Sequence, residues 1–170
     1  MTAYVALLRG INLGKRQLKM DDLKRVADDL GLERSRTYIA SGNLLFVSDK
    51  QEKALKAVLE KALRDHMGAE VGVMIRTAKE MAQAVKANSF ADEPGNKVVA
   101  IFLDQAPPKD AADHAKNVAG ERIAAGKREI YVHYPDGQGP SKLAIPAAAK
   151  GTARNMNTVA KLAQMASELQ

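Results

Sequence analysis

Cysteine and tryptophan are both absent from this 170-residue chain, and the other aromatics are four tyrosines and three phenylalanines. Without cysteine there is no disulfide, no iron–sulfur cluster, no thiolate zinc site and no cysteine nucleophile. Long apolar runs are missing too. The longest near the start, Ala3–Leu8, is closed by Arg9. A secretory core needs about 7–15 apolar residues and a membrane span about 20, so the expectation is a soluble, cytoplasmic protein with no membrane partner. No block of one charge appears. Residues 1–85 carry 15 Lys/Arg against 11 Asp/Glu, and residues 86–170 carry 11 against 9, so the net charge of +6 is spread along the chain. A dedicated nucleic-acid binder often shows a basic block. The surplus here attracts anions only modestly.

Metal chemistry lacks its ligands. His66, His114 and His133 are not paired at metal-binding spacing, so no metal and no cofactor is expected. Ser41 lies in Ile-Ala-Ser-Gly-Asn rather than a Gly-x-Ser-x-Gly elbow, and Ser141 is adjacent to Lys142 where a Ser-Lys hydrolase wants Ser-x-x-Lys. Asp21/Asp22 and Asp28/Asp29 are sequence neighbours, which point roughly 100° apart on a helix and so form no acid–base couple.

What is present is patterned apolar sequence, 46% of the chain against 27% charged, the balance of an ordinary globular domain. Residues 3–8 read as a strand buried on both faces. Leu23, Val26, Ala27 and Leu30 recur at helical spacing before Gly31. Residues 36–40 and 43–48 read as strands joined by a two-residue turn at Ser41-Gly42. Leu55, Val58, Leu59, Ala62 and Leu63 mark a helix over 50–66, stopped by Gly68. Residues 71–76 read as a strand, and Thr77-x-x-Glu80 as a capping box opening another helix. The order β-α-β-β-α-β is the split βαβ, ferredoxin-like arrangement.

All six prolines lie at Pro94 or later, and 89–96 reads as a linker between a unit at 1–88 and one at 97–170. The second half repeats the first. Residues 97–103 read as a strand, Pro107-Pro108 open a helix to about Asn117, and 121–125 and 128–133 read as strands around Gly126. A last helix carries Val159, Leu162, Ala163, Ala166 and Leu169. YIASGN-LLFV at 38–47 echoes RIAAGKREIYV at 122–132. The fold class is therefore α+β: a ferredoxin-like βαββαβ half followed by a related βαββα half, with mostly antiparallel sheets carrying helices on one face.

The split βαβ topology makes the first two strands parallel, so the loop Arg9–Lys19 and the turn at Ser41-Gly42 leave from the same sheet edge. Arg9, Asn12, Lys15, Arg16, Ser41 and Asn43 are expected to gather there, near the amino terminus of the following helix. Gly10-Ile-Asn-Leu-Gly14-Lys15-Arg16 is not a P-loop: it is one residue short between the glycines, and Arg16 stands where magnesium needs Ser or Thr. A second polar concentration runs through Tyr134–Leu143 and Gly151–Thr158. There Thr152, Asn155 or Asn157 is placed to cap the last helix, and Arg154 stands at its positive end, where an acidic partner would explain it.

Four ordered motifs carry a resemblance. YVALLRGINLG at 4–14, YIASGN at 38–43, YPDGQGPSKL at 134–143 and GTARNMNT at 151–158 are similar to the DUF1697 family, bacterial proteins of uncharacterised function. The resemblance runs from Ala3 to about Leu169. It implies an α+β fold related to ferredoxin-like units and no established activity. It also places Arg9, Asn12, Ser41, Gly42, Asn43, Lys142, Arg154, Asn155, Asn157 and Thr158 at motif positions. The family usually has tryptophan where this chain has Met156. If that indole stacks on a ligand, stacking is weakened here; if it is core, methionine replaces it easily.

Two function classes follow. The first is a binding module for a small anionic or phosphate-bearing ligand, held by Arg9, Asn12, Lys15, Ser41, Asn43, Lys142, Arg154, Asn155, Asn157 and Thr158. The second is an enzyme acting on a small anionic metabolite through positioning and polarisation, and whether there is turnover stays open. A nucleic-acid or protein interaction module is the further alternative. Aromatic stacking on RNA in the manner of an RRM has only Tyr4 and Phe46 to draw on. Oligomeric state is not legible in the sequence.

Overall fold

The computed structural model describes residues 1–170. Residues Thr2–Leu8 form β1, Met20–Asp29 α1, Glu33–Thr37 β2, Asn43–Ser48 β3, Glu52–Met67 α2, Val73–Thr77 β4 and Ala78–Lys86 α3. Val98–Phe102 form β5, Arg122–Ala125 β6, Glu129–His133 β7, Thr152–Asn155 β8 and Met156–Leu169 α4. No helix is long and apolar enough to cross a membrane.

The strands make two four-stranded antiparallel sheets of identical order, β2-β3-β1-β4 and β6-β7-β5-β8. This is the ferredoxin-like arrangement twice over, and the fold is α+β. The second copy is leaner. Where the first has α1 and α2, the second has only 3-10 turns at Ala111–His114 and Pro146–Ala148. Prolines 107 and 108 therefore open no full helix. Of the segment behind them only Ala111 is a buried apolar residue, so there is no stripe to hold a helix against the sheet. A second difference is β8, which the sequence hides inside a polar stretch. With β8 in place, β4-α3 and β8-α4 are equivalent closing pieces of the two copies.

The chain divides into two compact units, Met1–Met81 with Leu162–Gln170, and Ala82–Lys161. In the first, Tyr4, Ala6 and Leu8 of β1, Leu44 and Phe46 of β3, and Val73 and Ile75 of β4 alternate onto one sheet face. They share a buried cluster with Leu23 and Ala27 of α1 and Leu55, Leu59 and Leu63 of α2. α2 ends at Gly68, whose left-handed conformation (φ 71°) turns the chain while its N–H bonds Arg64 O. α3 opens with the capping box: Glu80 N donates to Thr77 Oγ1 (3.1 Å) and Thr77 N to Glu80 Oε1 (2.9 Å). The last residues of α4 lie in this unit, where Arg34 Nη1 donates to Leu169 O (3.0 Å). In the second unit, Val99, Ile101, Ile130, Val132 and Tyr134 form the sheet side of the core, closed by Ala111 and Ile145.

Candidate functional site

β1 and β2 end at one edge of the first sheet, and the backbone ties their exits together. Leu8 N donates to Gly42 O (2.9 Å) and Arg9 N to Gly72 O (2.8 Å). The β2–β3 connection is longer than a two-residue turn. Thr37 pairs with Leu44, and Tyr38 N bonds Asn43 O (3.0 Å), so residues 39–42 form the loop. β2 also begins earlier than its apolar content suggests, because only Ser35 of Glu33–Thr37 is buried.

Asn12 fastens the long loop. Its backbone is left-handed (φ 56°), a conformation asparagine tolerates. Its Oδ1 accepts from Leu18 N (2.7 Å), and its Nδ2 donates to Leu18 O (3.0 Å) and Ala40 O (2.6 Å). Ile11 and Leu18 are buried at either side. Between these anchors the chain stays outside, with Leu13 69% exposed and Lys15 exposed at the tip. Asn43 does the same work in the facing turn. It is fully buried, and its Nδ2 donates to Tyr38 O (2.8 Å) and Ser41 Oγ (2.9 Å). Asn12 and Asn43 thus hold the edge in shape, and the cations stand on it. Arg9, Lys15 and Ser41 are exposed and Arg16 is half-buried. Arg16 Nη2 donates to Glu70 O, while its Nε is buried with no hydrogen-bond partner. The neighbouring helix end offers an anion little, because Asp21 and Asp22 already occupy the first turn of α1.

Tyr4 and Phe46 stack on each other (5.7 Å between centroids) and are buried in the core with α1 and α2. They give RNA bases no platform.

The carboxyl-terminal candidates lie in the second unit and do not form one group. Arg154 sits on β8 opposite Ala100 of β5, not in the first turn of α4. It is 7% exposed, and its Nη1 donates to Thr152 Oγ1 (2.7 Å) and Ala153 O (2.9 Å). Burial brings its pKa down to about 10. Asn155 is the cap of α4: its Oδ1 accepts from Thr158 N (3.0 Å). Asn155→Ala is expected to lose about 1 kcal/mol of stability, the usual effect of removing such a cap, read as a lower denaturation midpoint. Thr158 is buried. Asn157 is exposed and lies over Gly95, where a Cβ would fall 2.1 Å from its Oδ1.

Lys142 belongs elsewhere. It lines a cavity of about 150 Å³ with Asn117, Glu121, Tyr134, Asp136 and Ser141; none of residues 151–158 lines it. Glu121 is fixed there by two donors, Ser141 Oγ and Ala119 N, which hold its carboxyl below the usual glutamate range. The motif Tyr134–Leu143 signals this place. Glu121 carries no sequence signal, because it reaches the cavity through the fold.

A family model described as "Protein of unknown function (DUF1697)" matches residues 1–131. The chain belongs to the DUF1697 family. This DUF1697 protein matches no curated protein. It is similar to a solved structure of a conserved bacterial protein from Streptococcus pneumoniae, 25% identical, with a TM-score of 0.82 over 98% of this chain and 99% of that one. The likeness supports the two-sheet fold across its whole length. Within this DUF1697 chain Met156 is 6% exposed, so this position is a packed one, where methionine serves as core filler.

Proposed function

We propose that this protein binds a small phosphate-bearing anion at the edge of the first sheet, on the loop Arg9–Arg16. The observation that carries the reading is the division of labour on that loop. Asn12 is engaged by hydrogen bonds that pin the loop to Leu18 and to the 39–42 turn, and this leaves Arg9 and Lys15 exposed and Arg16 half-buried on the loop. The orphan Arg16 Nε adds to it. A buried donor without an acceptor costs about 1–3 kcal/mol, and an anion oxygen drawn in beside the guanidinium is the chemistry that would relieve it. Ser41 supplies a hydroxyl on the facing turn, and Asn43 keeps that turn in place. Arg154, Asn155, Asn157, Thr158 and Lys142 are left to the second unit, where Arg154 and Asn155 have roles in β8 and the α4 cap.

Inorganic pyrophosphate and a nucleoside diphosphate are the probes. At 100 times its dissociation constant a ligand adds about 2.7 kcal/mol, about 5–11 °C in Tm for a chain of this size. Arg9→Ala with Lys15→Ala is expected to abolish that shift, read against the ligand-free Tm of the same variant. A shift unchanged in the double variant places the ligand elsewhere. No shift with either probe ends the phosphate reading.

A further inference from the structure

The cavity around Tyr134 is the reverse of the Arg9 loop in charge. In a protein with a net charge of +6, it gathers two carboxylates, Glu121 and Asp136, against the single Lys142. Acidic residues alone make no site. What marks this one is Tyr134, which is 7% exposed: its hydroxyl makes no hydrogen bond in the protein, although the residue lines the cavity. The ring is packed away while the hydroxyl itself keeps contact with solvent, so its oxygen is open to a donor. The Glu121 charge acts on that hydroxyl, adding to the upward push that burial gives its pKa, so the two groups address the same space.

From these placements the geometry points to a binding site for a small molecule bearing a primary alkylammonium group. Glu121 is held ionised, and each of its oxygens already accepts one hydrogen bond. A carboxylate has about four lone-pair sites, so an ammonium N–H finds acceptor capacity there. Asp136 stands at the rim with no partner of its own. The Tyr134 oxygen takes a further N–H. Three acceptors match the three donors of an ammonium. A metal ion is a poorer fit, because no group of three or more acidic or histidine side chains is present to hold one. The volume of about 150 Å³ suits a head group rather than a whole metabolite. The ring of Tyr134 also lines an apolar cleft of about 440 Å³ with Ile101, Leu143, Ile145 and Pro146, where an alkyl chain has surface to follow.

The test uses one chain length and three head groups. 15N-labelled full-length protein is titrated with n-butylammonium chloride, sodium butyrate and butan-1-ol, and the amide signals of Ala119, Gly137 and Ser141 are followed. The expected result is a saturable shift with butylammonium alone. Asp136→Asn, an exposed change that spares every hydrogen bond of the fold, should weaken binding about fivefold, the upper end for a partly exposed ion pair. Tyr134→Phe, which keeps the ring, should weaken it too. The assignment is overturned if butylammonium leaves these amides unmoved, if butyrate or butanol moves them equally, or if both variants bind as tightly as the parent.

Discussion

Truncating Leu59 to alanine is expected to remove about 3 kcal/mol of stability and to lower Tm by about 6–12 °C. Leu59 is fully buried in the middle of the α2 stripe, between Leu55 and Leu63, in the cluster that joins both helices to the first sheet. The transfer of the lost methyl groups accounts for part of the loss. The rest depends on whether α2 can settle onto the sheet and close the void. It is held from doing so. Lys56 Nζ donates to Val73 O (2.7 Å), and Val73 N donates to Glu60 Oε2 (2.9 Å). The Lys56–Glu60 ion pair (2.8 Å) joins the two clamps. These bonds fix the distance from α2 to β4 at the level of Leu59. Lys61→Ala, on the exposed face of the same helix, should cost at most about 0.5 kcal/mol, the worth of its exposed ion pair with Asp65. A loss from Leu59→Ala under about 1 kcal/mol would mean that the clamps yield and the helix collapses inward.

The same helix shows why much of the fold was legible. α1 and α2 announce themselves through local periodicity and β1 through its unbroken apolar run, and Gly68 and the Thr77–Glu80 box mark boundaries by backbone chemistry that acts within four residues. β2 and β8 do not. Glu-Arg-Ser-Arg-Thr and Thr-Ala-Arg-Asn offer no apolar alternation, because they are edge strands held by backbone pairing to β3 and β5. Pairing of that kind depends on a partner 7 to 14 residues away for β2 and 50 to 56 for β8, and nothing in a four- or five-residue window reports it. Thr152–Asn155 therefore reads as a polar approach to α4. Only the partner strand reveals that Arg154 is a buried strand residue, desolvated enough to lower its pKa.

The candidate site divides in the same way. Topology alone predicts that the Arg9–Lys19 loop meets the turn after β2, and the Leu8–Gly42 and Asn12–Ala40 bonds are that meeting. Residue type does not distinguish a polar side chain that builds a loop from one that faces a ligand. Asn12 and Asn43 read as ligand donors in the sequence, and the structure uses them to hold the loop and the facing turn in shape. The Glu121–Tyr134 cavity lies at the far limit of legibility, since its residues come from segments whose approach no local pattern encodes.

Gly42→Ala should have the second large effect, about 2–4 kcal/mol, and it reaches the proposed anion site without touching a charge. Two terms add. At φ 92° the backbone is strained for any residue with a Cβ, and that Cβ would lie 2.5 Å from Ile11 Cδ1 and 3.0 Å from Leu8 Cβ. Leu8 is locked in β1, so Ile11 must yield, and Ile11 is an anchor of the loop that carries Arg9, Lys15 and Arg16. Pyrophosphate affinity should therefore fall together with Tm. Gly14→Ala isolates the first term, because its φ is also positive (59°) but nothing lies within 4 Å of the added Cβ; about 1–2 kcal/mol is expected. The second term is isolated by Ile11→Ala in the Gly42→Ala background. Removing the clashing methyl groups should make the double variant more stable than the sum of the two single losses predicts, a coupling of about 1 kcal/mol or more. Strict additivity of the two substitutions would mean that Ile11 does not pack on Gly42, and the anchoring of the loop through that contact would have to be abandoned.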